Sequence, residues 1–178
     1  FPGLVVSLGD TPACTLADDF TGIDEIRPGN FVFYDVMQQR LGACSWDRIA
    51  VCLAAPVVGQ NENRNELVIY GGAVHLSKEG IRDKNGARHY GLIVRLKKGG
   101  WSRPIPGMRL ARLSQEHGIV LGGRRQLGGF KAGDILGVLP VHSCLTANLM
   151  KGYLTTDGRR VDYSPPALIF PRARIKYN

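Results

Sequence analysis

The sequence predicts a mostly β domain, a barrel or a sandwich, and three observations carry that prediction. Short apolar or alternating segments recur at 49–58, 66–70, 91–96, 109–113, 119–121, 135–139, 153–155 and 161–163. Turn signals separate them, among them the polar run 60–65 and the pair Gly71-Gly72. Beyond residue 30 no stretch has the apolar period of a helix of ordinary length. Short strands at regular spacing with turns between them indicate an all-β barrel or sandwich.

Residues 3–8 form an apolar run closed by Gly9-Asp10-Thr11-Pro12, which reads as a strand and a tight turn. Residues 13–23 make a short helix or irregular segment with Asp18 and Asp19 on its polar side. Arg27-Pro28-Gly29 is a turn signal and marks a boundary between residues 1–28, the end of another unit, and one β domain over 29–178. Phe31, Val32, Phe33 and Tyr34 are aromatic and β-branched, which predicts that residues 30–36 are a strand buried on both faces. Pro56 interrupts the strand at 49–58 and places an edge or a bulge there. Residues 78–87 are a polar excursion, and 145–150 a helical turn.

Composition narrows the function classes. The net charge of +8 is spread over scattered residues, Arg95, Lys97 and Lys98, then Arg103, Arg109 and Arg112, then Arg124 and Arg125. They form no stripe on a nucleic-acid-binding motif, so a solvated surface is expected and no nucleic-acid partner. No apolar run approaches the roughly 20 residues that span a bilayer, so no membrane is expected. The chain opens at Phe1 with neither a methionine nor a basic leader and runs into Leu4-Val5-Val6-Ser7-Leu8, which reads as the middle of a domain and hence as a fragment. Cys14, Cys44, Cys52 and Cys144 contain no Cys-x-x-Cys pair, which argues against a disulfide scaffold and for a reducing, cytoplasmic setting.

The most informative stretch is Pro140-Val141-His142-Ser143-Cys144-Leu145-Thr146-Ala147-Asn148-Leu149. On a strand, His142 and Cys144 would share one face and Ser143 the other. An imidazole nitrogen beside a thiolate is a two-ligand clamp for zinc, too small for a structural site but suited to a catalytic one with open positions. The same pair also fits a core histidine beside a buried cysteine. Gly9-Asp10-Thr11-Pro12 offers unobstructed backbone N–H groups after a strand, as a phosphate-holding turn does. It fits equally a plain turn that caps the next segment.

The run 140–149 resembles the metal-binding segment of the D-serine dehydratase / D-threonine aldolase family, whose Pro-x-His-x-Cys run supplies two zinc ligands. D-threonine aldolases carry an aspartate where Cys144 stands. Three further stretches resemble the family in the same order. Gly9-Asp10-Thr11-Pro12 is similar to the Gly-Ser-Thr-Pro turn of the barrel's penultimate strand. The run from Glu25-Ile26-Arg27-Pro28-Gly29 to Tyr34-Asp35 is similar to its last barrel strand and the crossing into the β domain. Leu113-Ser114-Gln115-Glu116-His117-Gly118 is similar to the Ser-x-Glu-His-Gly segment of the β domain. Asp10 departs from the usual serine or glycine, and the stretch 70–78 lacks the family's aspartate.

The resemblance implies that residues 1–28 are the tail end of a pyridoxal-phosphate-binding (β/α)8 barrel and 29–178 a D-serine dehydratase-like β domain, an alanine racemase-like architecture. It implies zinc on His142 and Cys144, pyridoxal phosphate bordered by Gly9, Asp10 and Thr11 with the Tyr34 hydroxyl nearby, and His117 as an acid/base group. Tyr34 can equally be a core aromatic, and His117 half of a surface pair with Glu116. His75, His89, Cys14, Cys44 and Cys52 have structural readings. The Schiff-base lysine is expected upstream of Phe1, so the fragment alone would be inactive. The implied parent is a lyase acting on a small β-hydroxy D-amino acid, D-serine or D-threonine, by dehydration or aldol cleavage, and is a homodimer. An alanine-type racemase (an isomerase that needs no metal) and a non-enzymatic β-barrel binding module are the alternatives.

Overall fold

The structure, a computed structural model, describes residues 3–162. The far part of the expected β domain, including Tyr163, lies outside the described residues. The chain begins with β1 (Ser7–Leu8), α1 (Thr11–Leu16) and β2 (Glu25–Ile26), continues through a 3-10 turn (Gly29–Val32) to α2 (Val36–Arg40), and makes a second 3-10 turn (Trp46–Arg48). Then come β3 (Leu53–Asn61), β4 (Glu66–Tyr70), α3 (Ala73–Leu76), β5 (Ile81–Arg82), β6 (Arg88–His89), β7 (Gly91–Val94), β8 (Leu96–Lys97) and β9 (Gly100–Trp101). The last elements are β10 (Arg109–Leu113), β11 (His117–Leu121), α4 (Arg124–Leu127), β12 (Ile135–Pro140), α5 (Ser143–Met150), β13 (Gly152–Leu154) and β14 (Arg160–Asp162).

Six strands close a barrel in the order β10-β11-β4-β3-β12-β7, each pairing antiparallel. The two-residue period decides what fills it: Leu53, Ala55 and Val57 point inward from β3, Leu136 and Val138 from β12, and Ile93 from β7. Leu67, Ile69, Leu110 and Val120 complete the interior, with Leu76 and Leu127 from α3 and α4 packed against it. Burying each such side chain stabilises the fold by about 1.5–3 kcal/mol. The alternate residues Val94 and Leu139 face outward, where Val36 and Ile49 cover them in a second, smaller core.

Pro56 does not lie on an edge, because β3 is paired on both sides. The bulge is beside it, where the β3–β4 register shifts between Val57 and Gly59.

Residues 30–36 are not a strand. The N–H groups of Phe33 and Tyr34 both bond to the Asn30 carbonyl, at 3.1 and 2.8 Å, so the backbone closes on itself rather than joining a ladder. Phe31 and Val32 are more than half exposed. Tyr34 is left-handed (φ 49°), and Asp35 then caps α2 by accepting the Gln38 N–H at 2.8 Å. The Asp35 carboxylate offers the backbone a local hydrogen bond, and with the turn closed on the Asn30 carbonyl it outweighs the strand preference of the aromatic residues.

Gly71-Gly72 ends β4 at a close approach. A Cβ on Gly72 would lie 2.4–2.6 Å from backbone atoms of Gln115, Glu116 and His117. The turn 114–117 accepts the N–H groups of Ala73 and Val74 at 3.0 and 3.1 Å, so only a glycine lets the two segments meet.

Candidate functional site

β4 and β12 are both antiparallel to β3, so they run the same way and their C-terminal ends lie at one end of the barrel. α3 follows β4 there, α5 follows β12, and the two helices pack together.

His142 and Cys144 are therefore not alternate residues of one strand. His142 is the extended N-cap of α5 (φ −130°, ψ 104°), and Cys144 is the second residue of the helix. The strand ends because the Ser143 N–H is taken by the Asp35 carboxylate at 2.9 Å, while the His142 carbonyl turns to the Thr146 N–H and hydroxyl. The His142 ring makes no capping bond to α5. Its Nδ1 lies 2.6 Å from Glu79 Oε2, on the segment after α3. Cys144 is exposed; partial desolvation, reinforced by the negative charge of Asp35 and opposed by a hydrogen bond with Ser143, holds its thiol above the ordinary range.

Beneath this pair lies a buried polar network. Asp35 is fully buried and accepts the Asn30 amide at 2.6 Å as well as the Gln38 and Ser143 N–H groups. The Ser143 hydroxyl donates to Asn30 Oδ1 at 2.7 Å, and the Asn30 N–H donates to Thr11 Oγ1 at 2.9 Å. Four side chains thus tie the Gly9–Thr11 turn to the start of α5. A buried network of this kind holds its members in one arrangement when every group is satisfied.

Within the turn, Asp10 accepts the Ala13 N–H at 2.8 Å and is the N-cap of α1. Thr11 Oγ1 accepts from Asn30 and keeps its own O–H for another acceptor. The Arg27 guanidinium lies over Gly9, 3.1 Å from where a Cβ would be. A phosphate group fits Gly9, Thr11 and this cation; the Asp10 carboxylate opposes it and is already engaged as a cap. Tyr34 packs against the second core.

His117 is exposed at the start of β11, with its N–H on Ser114 Oγ at 3.2 Å. Its ring lies edge-on to Tyr70 at 5.8 Å, and Tyr70 is edge-on to His75 of α3 at 5.0 Å. His117 is thus joined through two rings to the helix that packs against α5. Among the described residues no cluster of three or more His, Cys, Asp or Glu side chains is placed to hold a metal. The side chains that could hold one are the His142 imidazole, whose Nδ1 faces Glu79, and the exposed Cys144 thiol. Such a set fits a metal whose other positions stay open. A cleft of about 450 Å³ between Trp46, Trp101 and Arg103 is lined by none of these groups.

Sequence pattern does not mark Glu79, Asn30 or Asp35 as residues of the site. The partners that bring them to the site, His142 and Ser143, are 63 to 113 residues away, and no local spacing marks such contacts.

Residues 50–156 match the family described as the "Putative serine dehydratase domain". The chain belongs to this serine dehydratase domain family. Its relatives include D-threo-3-hydroxyaspartate dehydratase of Delftia sp. strain HT23, 31% identical over 172 residues, or 88% of this chain and 42% of the relative. D-serine dehydratase of Dictyostelium discoideum is 31% identical over 160 residues, 83% of this chain and 38% of its own. The chain therefore spans about two fifths of the length of these curated relatives.

The solved structure of the Delftia dehydratase superposes on this chain with a TM-score of 0.76 at 28% identity, over 89% of this chain and 43% of that one. An alanine racemase-like protein from Idiomarina loihiensis gives 0.75 at 29%, over 88% and 42%. D-threo-3-hydroxyaspartate dehydratase has also been solved as a cysteine-to-alanine variant in a metal-free form and as a histidine-to-alanine variant, the two replaced residues lying two positions apart. Both relatives are dehydratases, so the family setting is that of a lyase. Among the described residues no helix is long and apolar enough to cross a membrane.

Proposed function

We propose that the chain is the C-terminal part of a pyridoxal-phosphate- and zinc-dependent lyase that acts on β-hydroxy D-amino acids, D-serine or D-threonine among them. The observation that carries this reading is the network Thr11–Asn30–Asp35–Ser143, which joins the turn suited to a phosphate to the segment that bears His142 and Cys144. The histidine and cysteine replaced in D-threo-3-hydroxyaspartate dehydratase have the spacing of His142 and Cys144, which supports these two as the metal ligands.

In this reading residues 1–28 belong to a (β/α)8 barrel and the β domain begins at residue 29. The parallel pairing of β1 with β2 supports it, since the larger barrel is antiparallel throughout and parallel strands need a crossover such as α1. So does the exposure of Leu4, Val5 and Ile26, apolar side chains that neighbouring strands of a (β/α)8 barrel would cover. The Schiff-base lysine is then supplied from outside this chain, and the full-length protein is a homodimer in the cytoplasm.

When bound, pyridoxal phosphate supplies an electron sink for Cα and zinc a Lewis acid for the β-hydroxyl. The chain's own part is positional. Gly9 and the Thr11 O–H would hold the phosphate, with the Tyr34 hydroxyl as a further contact. His142 Nε2 and Cys144 Sγ would hold the cation. His117 accepts or returns a proton at its ring. Dehydration is favoured over aldol cleavage by the thiol at 144 and by the two dehydratase relatives.

The test is to supply the full-length protein with pyridoxal phosphate and zinc and give it D-threonine. The expected product is 2-oxobutanoate. Glycine with acetaldehyde would make it an aldolase, L-allothreonine, inverted at Cα alone, would point to racemisation, and the absence of any product would sink the assigned reaction.

A further inference from the structure

We infer that Glu79 is a positioning residue for the metal site: it holds the His142 ring by Nδ1 and so presents Nε2 to the cation. This rests on the reading of His142 and Cys144 as metal ligands.

A carboxylate only accepts hydrogen bonds, so across the 2.6 Å contact Nδ1 must be the donor. A neutral imidazole has one N–H, and placing it on Nδ1 leaves the lone pair on Nε2. The tautomer is thus chosen by a side chain 63 residues away in sequence. The ring needs such a hold. His142 is an N-cap whose side chain does not cap, so α5 itself leaves the ring unfixed.

Glu79 is delivered by a defined path. α3 packs on α5, Ser77 leaves α3 in a left-handed conformation (φ 68°), and the Glu79 N–H bonds to Ser77 Oγ at 3.1 Å. Its carboxylate meets the ligand nitrogen's ring partner rather than completing the donor set, since no three acidic, His or Cys side chains converge there among the described residues. Global stability does not account for the pair. The two side chains are 32% and 38% exposed, and ion pairs at that exposure contribute little. A carboxylate behind a ligating histidine fixes the ring and makes it a better donor.

The experiment uses the full-length protein stripped of metal. Zinc affinity is measured by competition with a chromophoric chelator, and the cobalt-substituted protein is followed by its thiolate charge-transfer and d–d bands. Glu79→Ala is expected to weaken zinc binding roughly 10- to 100-fold and to shift the cobalt bands, with the melting temperature unchanged. Glu79→Gln keeps an acceptor oxygen and should recover part of the affinity. Wild-type affinity and an unchanged cobalt spectrum in Glu79→Ala would overturn the inference while leaving the metal site intact. If the wild type binds no metal, or His142→Ala binds it as tightly as wild type, the metal-site reading itself falls and Glu79's role with it.

Discussion

The Asp35 carboxylate accepts the backbone N–H of Ser143 at 2.9 Å across 108 residues of sequence. It thereby caps α5 from outside, while its other oxygen caps α2 through Gln38. One buried acid thus sets where two helices start, and the second of them carries His142 and Cys144 at its first turn. The Asn30 amide, 2.6 Å away, fixes the carboxylate and links it to Thr11.

Replacing Asp35 by alanine strands the Gln38 and Ser143 N–H groups and the Asn30 amide. Each buried donor left without a partner costs about 1–3 kcal/mol, so a total loss of about 3 kcal/mol or more is expected. Chemical denaturation of wild type and Asp35→Ala measures it. A loss below about 1 kcal/mol would show that the network does not hold the segment.

His89 gives a pH dependence with a definite sign. Burial, aided by the charges of Arg109 and Arg40 and opposed by Asp83 and a bond with the Gly91 backbone, lowers its pKa below the ordinary 6.5. Below about pH 6.5 the unfolded chain therefore binds this proton and the folded chain does not. The contribution is neutral above that pH, and stability falls as the solution is acidified toward the depressed folded value. His89→Gln should flatten the melting-temperature profile between pH 7 and 5. The same slope in wild type and variant would exclude His89 as its source.

The cysteines should separate by reactivity. Burial pushes the Cys52 thiol up to about 12, whereas Cys144 is exposed and less strongly raised. Alkylation at pH 8, read by mass spectrometry, should modify Cys144 well before Cys52. Zinc added beforehand should protect Cys144 and leave the slow labelling of Cys52 unaltered. Equal labelling of Cys144 with and without zinc would count against its role as a ligand.

Much of the fold was legible because strand patterns are local. β4 and β10 fall on residues 66–70 and 109–113 as the alternation and turn signals indicate, and the other barrel strands differ only at their ends. The site was legible as residues but not as geometry. His142 and Cys144 stand out by type and spacing, yet period-two reasoning put them on a strand. The residue that ends that strand, Asp35, lies far away in the chain. Residues 30–36 misled for the same reason: their aromatic content indicates a strand, while Asn30 and Asp35 draw the backbone into turns.

By itself the sequence determined the β class, the places of the barrel strands along the chain and the motifs that mark the family. These follow from side-chain period and turn chemistry, which act over a few residues. Only the tertiary structure decided which ends of the strands come together and that the His142–Cys144 segment opens a helix. It also paired His142 with Glu79 and joined the Thr11 turn to α5 through Asn30 and Asp35. Apart from the Asn30–Asp35 bond, those are contacts between residues 19 to 113 apart, made by packing the barrel strands together and by packing the segment before β3 against the start of α5.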